Sequence, residues 1–242
     1  MLNKVRAFFR KGFFASNLGI GWVITTMDDL DVATMLCSLM CHDLASPVGA
    51  LVNGVEILEE EEDKKIKDQA LDLLSYSAEE ASFRLQFFRL AFGASGGLRS
   101  QIHLDDARRV LQGLYSNGRA RLNWNAPTQA MEKTIVKLVL NMAFAGGESL
   151  GRGGTINVDV TFEGEADARG VVISVIADGD NAGLKENCKA LLTGEITADE
   201  LNTRTVQPYY TYRLAELLST KIDVDDSMEN RVSISAHFPE TA

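Results

Sequence analysis

The chain has 242 residues, 45% of them hydrophobic, with 24 basic against 34 acidic side chains and a net charge of −10. That is enough apolar material for one large or two small cores, and it excludes wholesale disorder. The acidic balance argues against a nucleic-acid partner, which needs basic patches to displace counterions from phosphates.

Residues 1–27 stand apart from the rest. Lys4, Arg6, Arg10 and Lys11 are the only charges before Asp28. The uncharged stretch that follows is interrupted by Gly12, Gly19 and Gly21 and is too short to cross a bilayer comfortably. No clear small-x-small cleavage site follows it, so these residues read as an extension of uncertain status, and no membrane anchoring is expected.

Residues 28–92 read as helix. Apolar side chains recur at three- and four-residue spacing through Met40, Leu44, Leu51, Val55 and Leu58, then Ile66, Ala70, Leu74, Ala78, Ala81, Leu85 and Phe88. One helix of that length is unusual in a soluble domain, so two antiparallel helices turning near residues 59–63 are predicted. Two amphipathic helices cannot bury both apolar faces alone. A second copy can cover them, which predicts a homodimer built on a four-helix bundle.

Residues 93–97, Gly-Ala-Ser-Gly-Gly, form a linker. Beyond it, residues 98–242 mix helices with strands. Helices are expected at Asp105–Ser116, Thr128–Gly146, Ala182–Leu192 and Pro208–Ser219. Strands are expected at Arg119–Trp124, Thr155–Phe162, Gly170–Ala177, Lys221–Val224 and Arg231–Phe238. The fold class is therefore α+β: a helical hairpin followed by a two-layer α/β sandwich.

Of three histidines, His42, His103 and His237, only His42 invites chemistry. At 100° per residue, Met40, Leu44, Leu51 and Leu58 fall on the opposite side of its helix. Its own face carries Ser38, Ala45, Ser46, Gly49, Asn53 and Glu56, small and polar side chains that allow another protein to approach. A neutral imidazole is a good nucleophile near physiological pH and can carry a labile phosphoramidate. The neighbouring Asp43 can hold the ring's tautomer. From spacing alone, a solvent-facing histidine without a role is the readier reading. Cys37 and Cys41 stand one turn apart nearby, but no second histidine completes a zinc set. With Cys188 they make an odd, small count, which suits core thiols in a reducing cytoplasm rather than a disulfide scaffold.

His42-Asp-Leu-Ala-Ser-Pro47 resembles the phosphoacceptor box of two-component histidine kinases: His, an acidic residue, two variable positions, Ser or Thr, then Pro. The order of hairpin and α/β unit matches a dimerisation and phosphotransfer hairpin followed by a kinase-type ATPase-like domain. That second unit departs from the kinase pattern. Asn141 corresponds to the asparagine that helps hold Mg²⁺ in kinases, but Lys137 stands where another asparagine is common. Asp178 and Gly179 remain from the adenine-reading Asp-x-Gly-x-Gly box, whereas Asp180 and Ala182 occupy its other glycine positions. The glycine-rich phosphate lid is missing, since only Gly194 follows Gly183. Asp178 and Asp180 would repel phosphates that backbone N–H groups and cations normally cradle. Asn141, Asp178 and Gly179 thus read as remnants of a degenerate nucleotide site.

A phosphotransfer hairpin joined to such a unit is similar to the alphaproteobacterial histidine phosphotransferases of the ChpT family. Residues 148–154, Glu-Ser-Leu-Gly-Arg-Gly-Gly, and 206–211, Val-Gln-Pro-Tyr-Tyr-Thr, are also similar to stretches of that family. The resemblance implies that His42 takes a phosphoryl group from one receiver-domain aspartate and passes it to another without ATP, with Asp43 orienting the ring. It implies no cofactor on this chain, Mg²⁺ residing on the partner receiver, and a cytoplasmic location. Ala45, Ser46, Gly49, Asn53, Arg84 and Arg204 are the expected partner-binding residues, with Lys185 and Lys189 as further docking contacts. An ATP-dependent histidine kinase, a non-catalytic dimeric adaptor and a receiver phosphatase are the competing readings.

Overall fold

The computed structural model describes residues 29–94, 100–163, 170–185, 187–195 and 201–238. The extension at 1–27 and most of the linker lie outside them.

Helices α1 (Asp29–Glu60) and α2 (Lys64–Ala91) form the antiparallel hairpin, turning at residues 61–63. Asp63 sets the turn: its Oδ1 accepts from the Lys65 and Ile66 amides at 2.7 and 3.3 Å, satisfying donors that the first turn of α2 would otherwise leave bare. Buried and half-buried side chains of α1 recur at alternating spacings of four and three: Leu36, Met40, Asp43, Pro47, Ala50, Gly54. The matching series on α2 is Ala70, Leu74, Ser77, Ala81, Arg84, Phe88. The backbones approach closely because so many of these side chains are small. A Cβ on Gly54 would lie 2.8 Å from Leu74 Cγ.

A second α1 series runs beside the first at the same spacings: Leu30, Thr34, Cys37, Cys41, Leu44, Val48, Leu51, Val55, Leu58. None of these residues is buried, and Leu30, Val48 and Val55 are 69%, 49% and 47% exposed. The core position expected for Cys37 and Cys41 is thus corrected: both are exposed, and only Cys188 is buried.

The rest is a two-layer sandwich. Strands β2 (Ala120–Asn125), β4 (Gly154–Glu163), β5 (Gly170–Asp178), β7 (Arg231–Phe238) and β6 (Ile222–Asp225) lie in the order β2-β4-β5-β7-β6. The pair β2–β4 is parallel and the others antiparallel. Alternation puts Ile156, Val158, Ile173, Val175, Val232 and Ile234 on the inner face. Against them pack α3 (Leu104–Ser116) and α4 (Lys133–Glu148); α6 (Val206–Leu217) lies on α4, with the short α5 (Cys188–Thr193) between it and β6. The outer face is polar, with Asn123–Asn157 and Asn125–Asp159 hydrogen bonds at 2.9 and 2.6 Å across β2 and β4.

Two helix expectations are corrected. The segment predicted as helix from Thr128 begins with strand β3 (Ala130–Glu132), which pairs with β1 (Gln101–His103), and α4 starts only at Lys133. The helix predicted over Ala182–Leu192 is α5 alone. Asn181 and Asn187 take left-handed φ values of 56° and 65°, which an α-helix cannot accommodate.

The hairpin is sewn into the sandwich. Phe87 and Ala91 of α2 are fully buried and Phe88 nearly so. Phe87 stacks on Phe144 of α4 at 4.9 Å, and Phe92 meets Tyr210 of α6 edge-on at 5.3 Å. At the same junction Lys137 Nζ lies 3.4 Å from both the Phe92 carbonyl and the Tyr210 hydroxyl, a cation at the C-terminal end of α2. Burial there pushes the Lys137 ammonium pKa down to about 8.

Candidate functional site

The two series on α1 decide where His42 can point. Asp43 belongs to the seam against α2 and Cys41 to the exposed stripe, so His42 between them is turned to solvent, its side chain 87% exposed. Its Nδ1 lies 3.3 Å from Asp43 Oδ1. A carboxylate only accepts, so Nδ1 carries the proton of that bond, and in the neutral ring the lone pair is then on Nε2. Pro47 follows with its ring buried and its backbone N–H absent, which leaves the Asp43 carbonyl without its helical donor.

Around the imidazole, Ala45, Ser46, Gly49 and Asn53 are all exposed on the same side of α1. A Cβ built on Gly49 meets nothing within 4 Å, so the chain's own packing does not require glycine there. Arg84 is brought level with His42 across the seam, but its guanidinium is already engaged. It donates from Nε and Nη2 to Glu80 Oε1 at 3.0 and 2.8 Å, and Nη1 lies 3.6 Å from Asp43 Oδ2.

A cleft of about 460 Å³ opens where hairpin and sandwich meet, with His42, Asp43 and Arg84 on one wall and Glu148, Lys185 and Arg204 on the other. Arg204 is exposed there, which joins it to the histidine in one site. Lys185 bonds Glu148 at 2.6 Å, whereas Lys189 is drawn off to Asp226 at 2.6 Å and does not line the cleft. Glu148 escaped the sequence reading, because its place opposite the histidine depends on how α4 docks against α2.

The nucleotide-site remnants lie elsewhere and are occupied by the protein's own side chains. Asn141 is fully buried and donates to the Lys137 carbonyl at 2.9 Å. Its Oδ1 accepts from Gln207 Nε2 at 3.0 Å, and the same amide reaches the Asn141 carbonyl and Thr211 Oγ1 at 2.9 and 3.1 Å. Helix α6 therefore lies directly over Asn141. Asp178 is paired with Arg231 at 2.5 Å. Gly179 has a packing reason to be glycine: a Cβ there would come within 2.2 Å of the Gly153 carbonyl oxygen.

His103 precedes α3 without capping it, and His237 Nε2 lies 3.2 Å from Glu163 Oε2. Neither is near the cleft. Among the described residues, no group of three or more His, Cys, Asp or Glu side chains is arranged to hold a metal ion.

Comparison with known proteins adds an independent line. Residues 104–230 match the family described as the histidine phosphotransferase C-terminal domain. Protein phosphotransferase ChpT of Brucella abortus (strain 2308) is 37% identical over 207 residues, covering 86% of this chain and 96% of that protein. The 1.7 Å structure of a bacterial phosphotransferase superposes with a TM-score of 0.75 at 35% identity, covering 88% of this chain and 98% of the other. With a family match over more than half of its length and a relative this similar over nearly all of its own, the chain belongs to the histidine phosphotransferase family.

Proposed function

We propose that this protein relays a phosphoryl group between receiver-domain aspartates through a phosphohistidine at His42, without using ATP. One observation carries the reading: a solvent-facing imidazole whose Nδ1 is held by Asp43, leaving Nε2 free beside small exposed side chains. Phosphoryl transfer proceeds through a loose, in-line transition state in which positioning and charge neutralisation do most of the work. The receiver would bring its own Mg²⁺ and cation. Ala45, Ser46, Gly49 and Asn53 would form the docking apron, with Arg84 and Arg204 at the walls of the cleft.

ATP independence is supported by Gln207 over Asn141 and by the Asp178–Arg231 pair, which engage the two side chains a kinase turns to its nucleotide. Dimerisation is supported by the second series on α1, an a/d heptad pattern left uncovered in the single chain. Helix α1 has the length and apolar content of a membrane span. Most of its larger apolar side chains nevertheless lie in two seams, with His42, Asn53 and Glu56 outside them, as in a bundle helix. We therefore place the protein in the cytoplasm.

The test is transfer of label from a phosphorylated receiver to wild type and to His42→Gln with no ATP present. Label on wild type alone is expected. No label on wild type would leave the adaptor reading in its place, and micromolar Mg-ATP affinity by calorimetry would favour the kinase.

A further inference from the structure

The seam between α1 and α2 contains one charged layer. From Leu36 to Gly54 and from Ala70 to Phe88 its positions hold apolar or small side chains, except where Asp43 faces Arg84. Their side chains are only 18% and 29% exposed. Charges placed in a helical seam lose hydration and rarely add net stability, so packing does not account for the pair. Three contacts run through it in sequence. Glu80 takes two of the Arg84 donors, Arg84 reaches one Asp43 oxygen, and the other Asp43 oxygen accepts from His42 Nδ1.

Resting on the reading of His42 as phosphoryl acceptor, we propose that Glu80 and Arg84 are positioning residues for the exchange. Glu80 fixes the guanidinium fork, and Arg84 anchors Asp43 in the orientation that keeps the imidazole in its Nδ1–H tautomer. A long flexible arginine held by a carboxylate one turn away loses little further freedom on meeting a second one. In the exchange, the Nε2 lone pair forms the P–N bond while the acyl phosphate's P–O bond breaks, and the donor carboxylate departs with that bonding pair. The Nδ1 proton stays on the ring, which becomes cationic, and the Asp43 carboxylate lies against that charge. Losing the anchor removes the ion pair that fixes the Asp43 carboxylate and lets it turn away from the ring, roughly a tenfold effect on tautomer ratio and rate.

The full-length chain, labelled with ¹⁵N-histidine, gives a direct readout. Long-range proton–nitrogen correlations report which ring nitrogen carries the proton, and His42→Gln identifies the signal. Potassium phosphoramidate serves as phosphoryl donor in the same samples. Wild type should show the Nδ1–H form. Arg84→Met and Glu80→Gln should move His42 toward the Nε2–H form of free imidazole, with phosphorylation roughly tenfold slower for Arg84→Met. Arg84→Lys, which keeps the charge without the fork, should retain most of both. An unchanged tautomer in Arg84→Met, with a rate within about twofold of wild type, would reduce the pair to a register device and overturn the proposal. If wild-type His42 takes no phosphoryl group, the proposed function fails instead, and the tautomer comparison still decides the role of Arg84.

Discussion

Phe87 offers the sharpest test of how hairpin and sandwich are joined. Its ring is fully buried, stacked on Phe144 at 4.9 Å and edge-on to Phe88 and Phe92 at 5.9 and 6.0 Å. Phe87→Ala removes the whole ring from a site lined by two helices that cannot both collapse onto it. The lost transfer energy and the cavity together should cost about 3–5 kcal/mol. For a protein of this size that is a fall in Tm of roughly 6–20 °C. Phe87→Leu keeps most of the buried hydrocarbon and loses the ring geometry, so its cost should be nearer ~1.5 kcal/mol. Urea unfolding, followed by far-ultraviolet circular dichroism and by the fluorescence of Trp124 in a Trp22→Phe background, measures both variants. The two probes should move together, because the ring belongs to one shared core. A cost below about 1 kcal/mol for Phe87→Ala, or a loss confined to one probe, would refute the reasoning.

Val48 and Val55 are about half exposed in the single chain, so Val48→Glu with Val55→Glu should leave the monomer's own packing alone, each within about 0.5 kcal/mol. The proposed dimer should nevertheless dissociate, and sedimentation equilibrium at micromolar concentration would show half the mass. At Lys137, burial depresses the pKa to about 8 from 10.5. Between those values the unfolded chain binds more protons than the folded one, so this residue makes stability rise with pH across that window. Lys137→Met should stabilise the protein at neutral pH and flatten the rise, as urea midpoints at pH 7 and near the top of the window would show. A rise that persists unchanged would assign it to other groups.

The hairpin was readable in the sequence because its signals are local. Apolar spacing continues through both helices, and the acidic run before Lys64 ends in Asp63, a good N-cap. The strands β4, β5 and β7 were readable for the same reason, since alternation needs only the strand itself. Strands β1 and β3 have three residues each and exist only through each other, so no pattern in either announces them. The spurious helix before Cys188 followed apolar content and ignored Asn181, Gly183 and Asn187, residues able to leave the helical region. At the site, His42, Asp43 and the apron followed from a helical wheel. What such local patterns lack is depth: Arg84 was expected to bind a partner, not to sit inside the seam, and no wheel could bring Glu148, Lys185 and Arg204 to the far wall of the cleft. Those positions are set by the aromatic junction at the end of α2. A sign of it was present, because Phe87, Phe88 and Phe92 project in several directions and a one-sided helix has no use for that.

That junction has a consequence for how such a chain can be inherited or rebuilt. A hairpin cut out and grafted elsewhere would carry Phe87, Phe88 and Phe92 into water, while the remaining half would keep a hole where they sat. The two halves are therefore poor interchangeable parts. Recombination that swaps one without the other must re-create an aromatic socket at the same time, so partner preference should diversify through surface substitutions around the histidine rather than by exchange of whole units.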